Sequence, residues 1–392
     1  MLGLTKLLNQ VSSYGDSLRY SKHTRGQRMG TTRYKGPVVA WNITRSCNLK
    51  CQHCYSDAKN RDFRDELTTQ EAEAVIDDLA AFNVPVILFS GGEPLLRDDL
   101  FELIGYARSR GIRITISSNG TLIDREMAAR IAQAEISYVG ISIDGLETTH
   151  DTFRQQKGAF NRALEGIHNC REMDQKVGVR FTINQHNHRE LDDVFTLLLQ
   201  EHIPRACFYH LVYSGRGSTM VEQDISDQKK REAMDLLIDR SIGLQEKGLD
   251  KEILTVANHA DGVYTYLKLR EHCGDVAERI LKLLQINGGN RSGIAIANID
   301  PRGDVHPDQF TTTRLLGNVR ERPFSEIWKD ESDLLGDLRD RKPLLKGRCG
   351  ECDWLDLCNG NMRVRAEAVH GDFWQEDPAC YLTDDEVKNI RQ

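Results

Sequence analysis

The strongest constraint on this chain is an alternation. Six short apolar runs, VVAWNI, VPVILFS, IRITISS, ISYVGISI, VGVRFTI and ACFYHLV, are separated by helically spaced stretches such as Thr69–Phe82 and Asp98–Ser109. Runs of this length rich in Val, Ile and Phe read as strands, and the longer stretches between them as helices. The helix opening at Thr68/Thr69 carries a capping residue followed by Glu71 and an i, i+3, i+4 apolar stripe. Repeated strand-then-helix units dictate a parallel sheet with helices packed outside it. Functional loops of such a sheet gather at the C-terminal ends of the strands, whether it stays open or curls into a barrel.

The pattern begins at Pro37 and changes near residue 220. Before it lies a polar, basic stretch with Arg19, Lys22, Arg25, Arg28, Arg33 and Lys35 against a lone Asp16, either a solvated arm or a cationic flap over an anionic ligand. After it come charged helices, then a hairpin-like segment, IAIANIDPRGDVHP, and a cysteine-rich tail. The expected division is an N-terminal arm at 1–36, an α/β unit at 37–225, a helical connector at 226–285 and a small C-terminal domain at 286–392. A chain of 392 residues holds one large and one small domain comfortably.

A net charge of −7 argues against nucleic-acid binding. No run approaches the roughly 18 apolar residues of a membrane span, and the first residues lack a secretory h-region. Leu2, Leu4, Leu7 and Leu8 have the spacing of a short amphipathic helix packed on protein. The expected location is the cytoplasm, where clustered thiols are metal ligands or redox groups more often than disulfides. Seven of the ten cysteines cluster: Cys47, Cys51 and Cys54, then Cys349, Cys352, Cys358 and Cys380. Cys170, Cys207 and Cys273 stand alone.

The first group forms a C-x3-C-x2-C run just after the first strand. Three thiolates from one loop hold one face of a [4Fe–4S] cube and leave the fourth iron open, the arrangement a catalytic metal site needs. Spacing alone leaves a zinc site open too, with His53 as fourth ligand.

The run Cys47-x3-Cys51-x2-Cys54-Tyr55, followed by Ser90-Gly91-Gly92-Glu93-Pro94, resembles the radical S-adenosylmethionine (SAM) superfamily. That resemblance implies a partial (β/α)6 TIM-like barrel of the α/β class, and a [4Fe–4S] cluster whose open iron chelates SAM. One electron then releases a 5′-deoxyadenosyl radical, with the protein orienting the reactants and excluding water. Carried over by position, the SAM contacts are Tyr55, Gly91, Gly92 and Glu93, then Ser117, Ser118 and Asn119 after the third strand. Ser142 and Asp144 follow the fourth, and Arg154 would pair with the SAM carboxylate. The glycines would let the backbone approach the SAM amino group.

Cys349-x2-Cys352-x5-Cys358 and, after 21 intervening residues, Cys380 resemble the auxiliary-cluster domain of SPASM-type members. Four thiolates would close a second [4Fe–4S] cluster acting as electron relay or scaffold; a structural zinc knuckle is the plainer alternative. Family members with two auxiliary clusters carry further cysteines, but Met362 stands at one such position and the hairpin has none. One auxiliary cluster is therefore expected.

This pattern, the leader LRYSK and the tail CNGNMRVRAEAVHGDFWQEDPACYL resemble tetrapyrrole-modifying members. One group converts acetate side chains of 12,18-didecarboxysiroheme to methyl groups, giving iron-coproporphyrin III; another removes propionates on the way to haem d1. The leader tilts the reading to the first. The implied partners are an iron tetrapyrrole and a low-potential donor, flavodoxin or ferredoxin. Arg19, Lys22, Arg25 and Arg28, with Arg363, Arg365 and His370, would meet the substrate carboxylates. His210 is the first candidate for a neutral axial ligand to the substrate iron, with His259, His272 and His306 behind it. Tyr209, Tyr213, Cys207 and Cys273 are candidate hydrogen donors, Cys207 lying in a strand and fitting a core position as well. A peptide-modifying member would need a leader-binding module, for which a 36-residue arm is short. A non-catalytic iron–sulfur carrier would leave the GGEP, SSNG and SIDG segments without purpose.

Overall fold

The computed structural model describes the chain except residues 14, 21–29, 32–34, 272, 331–332 and 390–392. Lys22, Arg25, Arg28, Arg33 and His272 thus lie outside the described residues.

All six runs are strands: β2 (Val38–Thr44), β3 (Val86–Gly91), β4 (Arg113–Ser118), β5 (Tyr138–Ser142), β6 (Val177–Ile183) and β7 (Arg205–His210). They pair in parallel in chain order. The span read as a helical connector is helical over Asp227–Glu246, Ala260–Arg270 and Gly274–Asn287, but it also contributes β8 (Glu252–Val256), parallel to β7. Its apolar core is only Ile253-Leu254-Thr255-Val256, a run easily lost between charged helices. Beyond β2, β9 (Ile296–Ile299) adds a further parallel strand, followed by β10 (Asp304–His306) and β11 (Gly317–Asn318), both antiparallel. At the opposite edge β1 (Leu2–Gly3) pairs antiparallel with β8. The order is β1-β8-β7-β6-β5-β4-β3-β2-β9-β10-β11, an α/β partial barrel enlarged at both sides.

Period-two alternation decides which face meets the helices. Trp41, Ile87, Phe89, Ile114, Ile116, Val139, Ile141, Phe181 and Phe208 point outward and are buried. The helix Thr69–Ala81 covers part of that face with Ala72, Val75, Ile76 and Leu79, and starts with a Thr68/Glu71 capping box. Burying each such aliphatic side chain contributes about 1.5–3 kcal/mol; Phe89→Ala would cost about 3–5 kcal/mol. The basic N-terminal stretch begins as structure rather than as a solvated arm: Leu4, Leu7 and Leu8 of the helix Leu4–Asn9 are buried. No helix among the described residues is long and apolar enough to cross a membrane.

The inward face is different in chemistry. It presents Ser90, Arg113, Thr115, Ser117, Tyr138, Ser142, Arg180, Thr182, Arg205, Cys207 and Tyr209, which line two adjoining cavities. A face this polar cannot collapse into a dry core. It stays open for a ligand.

Candidate active site

The cysteine loop leaves β2 and is held by hydrogen bonds to three other segments. Cys47 N donates to Lys59 O at 3.0 Å, and Gln52 N to Phe153 O at 3.1 Å. Arg216, which the sequence did not single out, donates from Nε to Cys51 O at 2.8 Å and from its backbone N to Cys54 O at 2.9 Å. Burial pushes the Cys47 thiol up to about 12 and raises Cys51 as well, so iron ligation must release protons.

The three sulfurs line one cleft. They do not all lie within 4.8 Å of one another, and no set including His53 does. A tetrahedral zinc, with Zn–S near 2.3 Å, would draw sulfurs to about 3.8 Å apart. Three thiolates facing one open cleft are the donor set of a cluster with one iron left free. His53 instead stacks on Phe153 with ring centroids 4.5 Å apart, and burial lowers its pKa to about 4.

Tyr55, Gly91, Gly92, Ser117, Ser118, Asn119, Ser142 and Arg154 border the same cleft, about 930 Å³ including its open mouth. Two carry-overs take other places. Glu93 is fully buried and accepts from Ser118 Oγ at 2.9 Å, Asn119 N at 2.8 Å and Leu95 N at 3.3 Å. It ties the glycine-rich turn to the end of β4 rather than facing a ligand, and burial lifts its pKa to about 7. Asp144 is also fully buried, accepting from Thr182 N at 2.7 Å and ion-paired with Arg154. The glycines answer first to packing: a Cβ on Gly92 would sit 2.1 Å from Ser46 O, and one on Gly91, at φ +115°, 2.5 Å from Thr44 O. The turn lies directly on the cysteine loop.

Below this cleft, toward the strand N-termini, lies a larger cavity of about 1620 Å³ including its open mouth. Arg19, Arg113, Arg180, Arg205 and Arg291 line it, with Tyr138, Cys207, His259 and Met362. Arg19 is ion-paired with Asp16 at 3.0 Å and with Glu252 at 2.6 Å. The four residues that border both spaces are Arg180, Tyr209, Gln309 and Phe310.

The histidines separate clearly. His210 borders the upper cleft, but its Nε2 lies 3.0 Å from Asp261 and its ring stacks on Tyr381. His306 Nδ1 donates to Arg314 O at 2.9 Å, and the residue borders neither cavity. His259 faces the interior cavity; its ring makes no hydrogen bond among the described residues, and burial holds it neutral. Of the candidate hydrogen donors, Tyr209 and Cys207 face the cavity. Tyr213 is turned to Asp224 at 2.8 Å, and Cys273 is on the surface. The late arginines are structural: Arg365 is fully buried against Asp377 at 2.7 Å, and Arg363 donates to the carbonyls of Gly360, Phe373 and Gln375.

Cys349, Cys352, Cys358 and Cys380 surround one small pocket with Trp354 and Asn361. Four thiolates around one pocket complete the donor set of a [4Fe–4S] cluster. Arg363 Nη2 lies 3.9 Å from Cys349 Sγ, a cation suited to a thiolate-bound cluster.

Residues 41–198 match the model of the radical SAM superfamily, and 293–353 that of SPASM, an iron–sulfur cluster-binding domain. The chain is 54% identical to the Fe-coproporphyrin III synthase of Methanosarcina barkeri, covering 99% of both. It is 44% identical to the pre-heme d1 synthase of Dinoroseobacter shibae over 95% of this chain and 92% of that one. The SAM-bound structure of SuiB from Streptococcus suis matches with a TM-score of 0.71 at 17% identity, covering 89% of this chain and 78% of that one. A radical SAM domain binds a [4Fe–4S] cluster and SAM, and a SPASM domain carries an auxiliary iron–sulfur cluster. The chain belongs to the radical SAM superfamily, among its members with a SPASM domain.

Proposed function

We propose that this enzyme converts acetate side chains of 12,18-didecarboxysiroheme to methyl groups, giving iron-coproporphyrin III. The observation that carries this reading is the arginine-lined cavity adjoining the cysteine-bordered cleft, with four residues bordering both. A flat, polycarboxylate ligand needs that volume and those cations, and the similarity to Fe-coproporphyrin III synthase supports the same substrate.

When bound, the cluster and SAM supply an electron and a carbon-centred radical able to take hydrogen. The chain's own residues do the rest. Cys47, Cys51 and Cys54 hold the cluster, Arg154, at the border of the cleft, is the partner for the SAM carboxylate, and Ser117, Asn119 and Ser142 offer polar contacts at the strand ends. Tyr209 and Phe310 separate the two spaces and restrict water. His259 rather than His210 is the axial ligand this geometry favours, because its imidazole is neutral and free of other bonds. Cys349, Cys352, Cys358 and Cys380 hold the relay cluster, and flavodoxin or ferredoxin is the donor.

The test is an anaerobic assay of reconstituted protein with SAM, reductant and 12,18-didecarboxysiroheme, read by mass spectrometry. Iron-coproporphyrin III with 5′-deoxyadenosine is the expected result. Loss of propionates, or an unchanged tetrapyrrole, would overturn the substrate assignment.

A further inference from the structure

Arg180 stands apart from the other arginines of the interior. It sits on β6 and is one of four residues bordering both the cysteine-side cleft and the large cavity. Arg19 and Arg205 are paired with Glu252, and Arg291 donates to Gly30 O at 3.0 Å. Arg180 has no carboxylate and no hydrogen-bond acceptor among the described residues; its guanidinium lies over the Tyr209 ring, 4.9 Å from the centroid. The neighbouring strand makes room for it, since a Cβ on Gly140 would stand 2.8 Å from Arg180 Cδ.

A permanently charged group lying over a tyrosine ring, without an anion, is built for a ligand that brings one. The guanidinium fork matches a carboxylate in bidentate geometry. Its position at the junction selects which carboxylate. Arg113, Arg205 and Arg291 line the large cavity alone, whereas Arg180 also borders the cleft, so a carboxylate it holds stands on the SAM side.

We propose that Arg180 pairs with the carboxylate of the reacting acetate and so fixes the adjacent carbon at the mouth of the SAM cleft. This rests on the tetrapyrrole reading above and names the residue that chooses the side chain. Arg180 is a substrate anchor and does not itself exchange protons or electrons. Tyr209 keeps the guanidinium in place before substrate arrives.

The test compares Arg180→Gln and Arg180→Lys with the unsubstituted enzyme, all reconstituted and checked for cluster absorbance. Two tetrapyrroles are titrated: 12,18-didecarboxysiroheme, which carries acetates, and iron-coproporphyrin III, which does not. Arg180→Gln is expected to weaken didecarboxysiroheme at least about tenfold, as for a lost charged hydrogen-bond pair. Affinities for iron-coproporphyrin III and SAM should hold, and 5′-deoxyadenosine should form without matching acetate loss. Arg180→Lys should recover part of the affinity with poorer coupling. Equal weakening of both tetrapyrroles, weaker SAM binding, or an unchanged Arg180→Gln each overturns the anchor. If the unsubstituted enzyme binds no didecarboxysiroheme, the functional reading itself fails, a result separable from the others.

Discussion

Arg154 joins the cluster loop to the barrel: its Nη1 lies 3.3 Å from Cys51 Sγ while its Nη2 is ion-paired with the buried Asp144 carboxylate. Asp144 is fixed in turn by Thr182 N at 2.7 Å, so β6, the helix Glu147–Arg154 and the cysteine loop meet at one charge pair. The arginine thus has a structural partner before any ligand arrives.

Removing one member of that pair strands a buried charge. Arg154→Ala should destabilise the apoprotein by about 3–5 kcal/mol, read from urea denaturation. Asp144→Asn keeps the volume but frees the guanidinium to turn, and should weaken SAM binding in calorimetry of the reconstituted enzyme. An Arg154→Ala protein as stable as its parent would remove this account.

Two cluster sites predict an iron count. The reconstituted enzyme should hold about eight irons, and Cys349→Ala/Cys358→Ala about four. The double variant should still form 5′-deoxyadenosine while product formation falls, if the second cluster is a relay. Full turnover in that variant would leave the cluster a scaffold. Stoichiometric zinc in place of the last four irons would restore the zinc knuckle.

Glu93 gives the apoprotein a pH signature. Its carboxyl titrates near 7 when folded and near 4.5 when unfolded, so the folded state holds the extra proton between those values. The contribution of Glu93 to stability should therefore fall as pH rises across this window, by at most about 3 kcal/mol. Asp144 and Asp377 do not blur the trend. Burial raises both, yet Arg154 and Arg365 outweigh it and hold them low, so their stabilisation is lost only at more acid pH. His53 and His150, lowered by burial to about 4, act in the opposite sense below about 6.5. The Glu93 contribution is therefore read as the stability difference between the parent and Glu93→Gln, which should fall across thermal melts from pH 5 to 7.5.

The sequence was most legible where periodicity and spacing act locally. Six strands, the Thr68 cap and the two cysteine groups needed no tertiary knowledge. The roles of Glu93 and Asp144 were not legible, because a carboxylate beside a motif reads alike whether it faces a ligand or a neighbouring backbone. Arg363 and Arg365 read as partners for substrate carboxylates for the same reason; only the fold brings Asp377 and the Gln375 carbonyl to them. Arg180 did leave a signal. A lone charge inside VGVRFTI, with Arg113 opening IRITISS and Arg205 preceding ACFYHLV, marks an inward face too polar for a packed core.

His259 carries the last prediction. Its ring borders the interior cavity without a hydrogen bond, while His210 has Asp261 on its Nε2. A neutral imidazole is what an iron tetrapyrrole takes as axial ligand, and ligation lowers the spin of ferric iron. Adding iron-coproporphyrin III to the parent protein should shift its Soret band and electron paramagnetic resonance toward the low-spin form. His259→Ala should leave the iron high-spin, with added imidazole restoring the shift, while His210→Ala should not change the spectrum. The metal-free porphyrin controls for burial alone, since it has no iron to ligate and should bind both proteins with similar affinity. A low-spin spectrum surviving in His259→Ala but lost in His210→Ala would reverse the assignment.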